Sequence, residues 1–209
     1  MKTNDDIILK VAELDVIIQD AKTLNLTEAQ DLALNFALRL TSTSRAIVLL
    51  ISSGAANEAF TIRRLQLEHF FNVNALLHSE EHRNLLQDHS TGELSRQFKK
   101  IIQENEKVPT LTSDNHQKIT EFLNHPDREN DPKSGLNWEQ ISRLGDTAGL
   151  YTTYKIYSYI YAHSTLMSLL KNISEEDINV LRRDVIAVLE LVRLQLREKL
   201  FAATNHTDK

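Results

Sequence analysis

Hydrophobic residues recur along most of the chain at spacings of three and four, the period of helices that turn one face inward. Ile7, Ile8, Val11, Leu14, Ile17 and Ile18 keep this spacing in a first helix that begins at Asp5 or Asp6 and runs out near Leu24. Thr27-Glu-Ala-Gln30 then reads as a capping box, with a side-chain oxygen at the first position and an amide three residues later. It opens a second helix through Leu32, Leu34, Phe36, Ala37 and Leu40 to Ile51, which stops near Gly54. The short turn there folds the next helix back as an antiparallel hairpin. That helix, Ala55 to Leu77, has no Pro or Gly. Ala55, Ala56, Ala59, Phe60, Ile62, Leu65, Leu67, Phe70, Phe71, Val73, Leu76 and Leu77 cover most of its circumference, so it belongs at the centre of the fold. One strip interrupts the pattern: Asn57, Thr61, Arg64, Glu68 and Asn72 stack along one side, and Arg63 falls among apolar positions roughly opposite. Charges on a buried helix must be paired or reach water. The strip is therefore the solvated edge of a core helix or the wall of a polar pocket.

Beyond Leu77, Ser79-Glu-Glu reads as a fresh N-cap for a polar helix through Leu85, Leu86, Leu94, Phe98, Ile101 and Ile102, with Gly92 placed to kink or break it. A short helix from Asp114 to Leu123 leads into a long loop, 124–137, which holds two of the three prolines. Trp138 to Leu144 is a short helical element that ends at Gly145. Leu150 to Leu170 contains all five tyrosines. Wound as a helix, it sets Tyr151, Tyr154, Ser158, Tyr161 and Thr165 on one side, Tyr157 at the margin and His163 on the other. Ser174-Glu-Glu-Asp177 caps the last helix, which carries Leu181, Val185, Val188, Leu189, Val192, Leu196 and Leu200. No segment alternates with period two, so no β-sheet is expected. The fold class is all-α: a single-domain antiparallel helical bundle over 1–209, with its core in 27–203 and a flexible tail at 204–209.

Composition narrows the chemistry. The 209 residues suffice for one well-buried core. The absence of cysteine excludes disulfides, zinc–thiolate sites and thiol catalysis together. A formal net charge of −5 argues against a broad nucleic-acid surface. The basic residues of the last helix, Arg182, Arg183, Arg193, Arg197 and Lys199, are interleaved with acids as on a solvated face. The N-terminus lacks a leader pattern and no apolar run approaches a membrane span, so the expectation is a soluble cytoplasmic protein with no membrane partner. One metal-like spacing exists, His78, His82 and His89 with Glu93. The cap at Ser79 takes His78 off that helix, and no metal or other cofactor is expected.

Two segments together carry a family likeness. Arg64-Leu-Gln-Leu-Glu68, preceded by Gly54 and Glu58-Ala59, and the later Trp138, Tyr151, Tyr154, Tyr157-Ser158 and Ala162-His163-Ser164 resemble the signature of a large bacterial family of all-helical proteins known only as a domain of unknown function. The resemblance spans roughly Ser44 to Leu170. It implies that Arg64, Glu68, Ser158 and His163 are the distinctive polar positions, and it implies no reaction. Arg63 and His69 stand beside the motif as additions. Separately, Arg64 and His69 have the Arg-x4-His spacing of HEPN-type helical proteins, some of which are metal-independent ribonucleases of toxin and defence systems. That second resemblance implies a cation for the phosphate and an acid or base near the ribose 2′-hydroxyl, often doubled across a homodimer. On a straight helix, however, the two residues point about 140° apart.

Three readings follow. The first is a non-enzymatic binding or regulatory module, in which Arg64, Glu68, Tyr154, Ser158 and His163 line a polar pocket between the two central helices and meet an unknown ligand or protein partner. The second is a HEPN-like ribonuclease with Arg64 and His69 as its catalytic candidates and RNA as its partner. The third is that the polar residues only fix helix register.

Overall fold

The structure is a computed structural model that describes residues 2–125, 137–161 and 172–202. Among them are eight α-helices and no strand, as the helical periodicity predicts. Two compact units partition the chain: Met1–Glu80 with Trp138–Lys209, and Glu81–Asn137.

In the first unit, α1 (Asn4–Ala21) opens on a reciprocal capping box between Thr3 and Asp6, slightly ahead of the expected start. Its inner face is Ile7, Val11, Leu14, Ile17 and Ile18. α2 (Glu28–Ser52) opens on the predicted box, with the Thr27 N–H donating to Gln30 Oε1 at 2.9 Å and the Gln30 N–H to Thr27 Oγ1 at 3.2 Å. The two helices run antiparallel, joined by Asn4 Nδ2 donating to Ser52 Oγ (2.9 Å) at one end and by the Arg45–Asp15 ion pair further along. By length and composition α2 could cross a membrane, a departure from the expectation that no run approaches a span. Its inner face, Ala29, Ala33, Leu34, Ala37, Leu40, Thr41, Ser44 and Ile47, is buried.

Gly54 makes the next turn with φ of 80°, a left-handed conformation in which a side chain is strained. The chain returns as α3 (Ala56–His78), antiparallel to α2, with Gln66 meeting Ser44 and His69 meeting Phe36. α3 is the central helix, and Ala59, Phe60, Leu67, Phe70, Phe71, Val73, Ala75 and Leu76 are buried on it. Its inner face is rotated from the expected one. Leu65 is 40 % exposed, whereas Arg63 and Gln66 are buried because each satisfies the other and both find partners on neighbouring helices.

α6 (Trp138–Leu144) and α7 (Ala148–Ile160) return to the same unit. α7 lies antiparallel to α3: Thr61 Oγ1 donates to the Tyr161 carbonyl at 3.0 Å at one end, and Gly145, just before α7, presses on Asn74 at the other. α7 ends at Ile160, with Tyr161 as its C-cap, short of the expected Leu170. α8 (Glu175–Leu196) begins on the predicted Ser174–Asp177 box and closes in a π-helical turn, Arg197–Phe201. It runs parallel to α1, held by Arg182 Nε donating to Asn4 Oδ1 (3.0 Å) and by the Lys10–Glu190 ion pair (2.6 Å). Leu181, Val185, Val188, Leu189, Val192 and Leu196 are its buried stripe.

Ser79 is an extended residue that closes α3, its N–H donating to the Ala75 carbonyl at 2.9 Å, and α4 (Glu81–Lys107) begins at Glu81. In the second unit α4 passes through Gly92 unbroken, and Gly92 is buried. Asn105 Oδ1 accepts from the N–H groups of Thr110 (2.8 Å) and Leu111 (2.9 Å), which shapes the turn toward α5 (Ser113–Leu123). Phe98 and Phe122 meet edge to face at 4.9 Å. Most of the predicted loop and the whole predicted tail lie outside the described residues.

Gly145 allows α3 and the start of α7 to approach closely. A Cβ there would stand 2.6 Å from Asn74 Cβ and 2.9 Å from the Ala75 amide nitrogen, part of a helix backbone that cannot yield. Gly145→Ala is therefore expected to destabilise the protein by about 1–3 kcal/mol, the usual cost of overpacking, measured by urea denaturation.

Candidate functional site

Arg63 and Arg64 are adjacent in sequence and meet opposite surroundings, because one residue of helix turns a side chain by about 100°. Arg63 points into the core and is 1 % exposed. Its Nη1 donates to Gln66 Oε1 and its Nη2 to the Asp184 carbonyl at 3.1 Å. Gln66 Nε2 passes the chain on to Ser44 Oγ (2.5 Å), which donates to the Leu40 carbonyl at 2.7 Å. The guanidinium also lies 5.9 Å from the centre of the Tyr157 ring, and the Tyr157 hydroxyl donates to Asp184 Oδ2 at 2.8 Å. Burial lowers the Arg63 pKa, while Tyr157 and Asp184 work against that loss. Burial likewise raises the Tyr157 phenol well above its usual value, helped by the Asp184 carboxylate. Side chains of α2, α3, α7 and α8 thus share one polar network inside the core. Of the three Arg63 nitrogens, Nε is the one without a hydrogen bond.

Arg64 points toward α7. Its Nη2 pairs with Glu68 Oε1 at 2.8 Å, and the same oxygen accepts from the Tyr154 hydroxyl at 3.1 Å. The guanidinium carbon stands 5.7 Å from the centre of the Tyr154 ring. Side-chain exposure is 35 % for Arg64 and 14 % for Glu68, so the pair is half-sheltered, neither sunk in the core nor fully in water. Burial weighs against the charge on Arg64, but Tyr154 and Glu68 outweigh it and raise its pKa. The Tyr154 phenol is raised chiefly by burial. Beside this pair a shallow cavity of about 260 Å³ is lined by Arg64, Tyr151, Tyr154, Lys155, Ser158 and Tyr159. Tyr151 stacks on Tyr154 at 5.9 Å, and the Lys155 ammonium lies 5.8 Å from the centre of the Tyr151 ring. Arg64 Nε and Ser158 Oγ are withdrawn from water without a hydrogen bond of good geometry.

The structure thus brings Arg64, Glu68 and Tyr154 together, with Ser158 on the wall of the same cavity. His163 lies outside the described residues. His69 does not join Arg64: its ring sits 6.0 Å from that of Phe36 on α2. Burial, and then the nearby Arg39 cation, lower its pKa to about 4. His69 is therefore neutral at pH 7, packed against α2 while Arg64 faces α7. No group of three or more His, Asp or Glu residues is placed to hold a metal among the described residues. His78 is the last residue of α3, its Nδ1 2.8 Å from the Asn74 carbonyl, and His82 belongs to α4. Lys155 and Tyr159 are cavity residues that sequence reasoning missed, although their i+4 and i+8 spacing from Tyr151 on one helix was available.

The model of a family of unknown function, DUF5677, matches residues 30–180. The chain belongs to DUF5677. Neither a curated protein nor a solved structure matches it. The DUF5677 match takes in both sides of the cavity, Arg64 and Glu68 on α3 and Tyr151 to Tyr159 on α7, and much of the buried network, Ser44, Arg63, Gln66 and Tyr157. Asp184 lies beyond the DUF5677 match.

The two arginines should separate in stability measurements. Arg63→Ala removes the donor that satisfies Gln66 and Asp184 and is expected to cost about 3–5 kcal/mol, as when a buried charge network loses a member. Glu68→Ala leaves Arg64 able to reach water and removes the carboxylate that accepts from the Tyr154 hydroxyl, for about 1–2 kcal/mol. Urea melts of the two variants check the order.

A pH dependence follows from the histidines. The folded-state pKa of His69 and of His82 is lowered to about 4 from the ordinary 6.5, by burial in both cases. The unfolded chain therefore binds more protons between those values, and stability falls as pH drops from 6.5 toward 4. Equilibrium unfolding at pH 7 and pH 5 should show the loss, and His69→Leu should lessen it.

Proposed function

We propose that this chain is a non-enzymatic binding module whose α3–α7 cavity takes a small organic anion. The observation that carries this reading is the charge count at the cavity. Arg64 and Lys155 both line it, and among the described residues Glu68 is the one carboxylate engaged there, so a single positive charge is left over. A monoanion such as a carboxylate matches that surplus. Arg64 and Lys155 supply the cations, and Tyr151, Tyr154 and Tyr159 supply ring faces for an apolar or aromatic body. Tyr159 is 67 % exposed, so much of its surface is open to a ligand. The cavity volume, about 260 Å³, suits a ligand of a few to a dozen heavy atoms.

The ribonuclease reading finds less support. It requires Arg64 and His69 to act on one phosphodiester, and these side chains face different helices. A base with a pKa near 4 would also be weak at neutral pH.

Titration of the protein with benzoate, followed by thermal denaturation and by heteronuclear NMR, tests the proposal. Saturable binding that raises the melting temperature is expected. Lys155→Met and Arg64→Met should each weaken it by about tenfold, equivalent to about 1.4 kcal/mol. Absence of saturable binding, or affinity undiminished from the wild type in either variant, would overturn it.

A further inference from the structure

α1 and α2 lie side by side, fixed at two levels by Asn4 against Ser52 and by the Arg45–Asp15 ion pair. The outward sides of both helices are apolar. On α1, Leu9, Ala12 and Val16 recur at spacings of three and four, and all three are exposed, with Ile8 beside them. On α2, Leu49 stands between Arg45 and Ser52 and is 68 % exposed, the highest value of any large apolar side chain among the described residues. α2 is apolar enough to span a membrane, yet 39 % of that apolar stretch is buried. One exposed leucine is ordinary; a run of apolar side chains across two adjacent helices marks a contact surface.

The charges around this face choose its occupant. α1 carries five acids and one lysine, Lys10, which Glu13 and Glu190 already hold. From Asn35 to Ser52, α2 carries Arg39 and Arg45 and no acid. An anionic lipid surface would be repelled by α1 and attracted by α2 alone. A second copy of the same face offers both signs. A two-fold axis running along the helices lays α1 of one copy over α2 of the other and keeps every residue at its level. Asp15 and Arg45 share a level within one chain, so each Asp15 then also meets the partner's Arg45. Pairing α1 with α1 about Ala12 would instead bring Asp5 toward Asp20. The size is adequate as well: α1, with 18 residues, is about 27 Å long, and two helices side by side are about 20 Å wide, so the face covers roughly 500 Å² in projection. That is the scale of one side of a specific interface, about 800 Å² of accessible surface per partner.

We infer that the α1–α2 face is a self-association surface on which a second copy of this chain docks about a two-fold axis. Leu9, Val16 and Leu49 of each copy pack against the other across the small Ala12, and Asp15 and Arg45 pair between copies at the rim. The face shares no residue with the α3–α7 cavity, so the inference stands apart from the ligand site.

Sedimentation velocity of the full chain from about 1 to 200 µM, the range of ordinary reversible association, tests it. A concentration-dependent dimer is expected. Val16→Arg and Leu49→Glu, both at exposed positions, should weaken it by about tenfold or more while circular dichroism and the melting temperature stay close to those of the wild type. Asp15→Arg and Arg45→Asp should each associate weakly alone, and mixing the two variants should restore the dimer, because the mixed pair sets opposite charges across both contacts. An ion pair that serves one chain alone gives no gain on mixing. A wild type that stays monomeric, with or without binding to vesicles of anionic phospholipid, undiminished association in Val16→Arg, or no gain on mixing would each overturn the inference.

Discussion

A guanidinium withdrawn from water at the heart of the bundle constrains how the helices around it pack. Arg63 cannot shed its proton at any ordinary pH, so the donors it turns inward need acceptors, and its two terminal nitrogens have them while Nε does not. It finds them on separate elements: Gln66 on its own helix, which passes the chain to Ser44 on α2, and Asp184 on α8, whose carboxylate in turn accepts from Tyr157 on α7. An apolar core tolerates small slips of one helix along another. A core holding this network does not, because a shift of one turn would strand a charge. The register of α2, α3, α7 and α8 is thereby tied to a single side chain.

With the register set, the outer side of α3 is free to carry something other than packing. Arg64 meets Glu68 and Tyr154 in a half-sheltered place and fronts a cavity with surplus positive charge. Rigid helices of this kind hold side chains in place better than loops do, which suits recognition of small ligands.

Membership in DUF5677 covers α2, α3 and α7, together with α4 to α6, and ends within α8. It thus encloses the residues that meet across the α3–α7 seam. The buried network reaches past that boundary to Asp184, so the arginine that organises the matched region depends on an acceptor from outside it.

Much of this was legible in the chain itself. Thr27 with Gln30 and Ser174 with Asp177 announced helix starts because a capping box is a local bargain between residues three apart. Gly54 announced the hairpin, and the burial of Phe60, Leu67, Phe70 and Phe71 followed from period alone. Arg64, Glu68 and Tyr154 could be named as a group because helical spacing aligns the first two and a family likeness added the third. Sequence periodicity also showed Arg63 as an intruder among apolar positions. It could not show what neutralises the intruder, because Asp184 is 121 positions away and no local rule links them. Leu65 and Gln66 were exchanged for the same reason: period places residues on a helix, but the angle at which that helix faces its neighbours is set by the partners it meets. The sequence by itself determined helices, caps and the apolar side of each, all of which depend on residues within a turn or two of one another. Only the tertiary structure decided which arginine is buried, which faces a cavity, and where unpartnered polar atoms gather, since those depend on atoms brought together from distant parts of the chain.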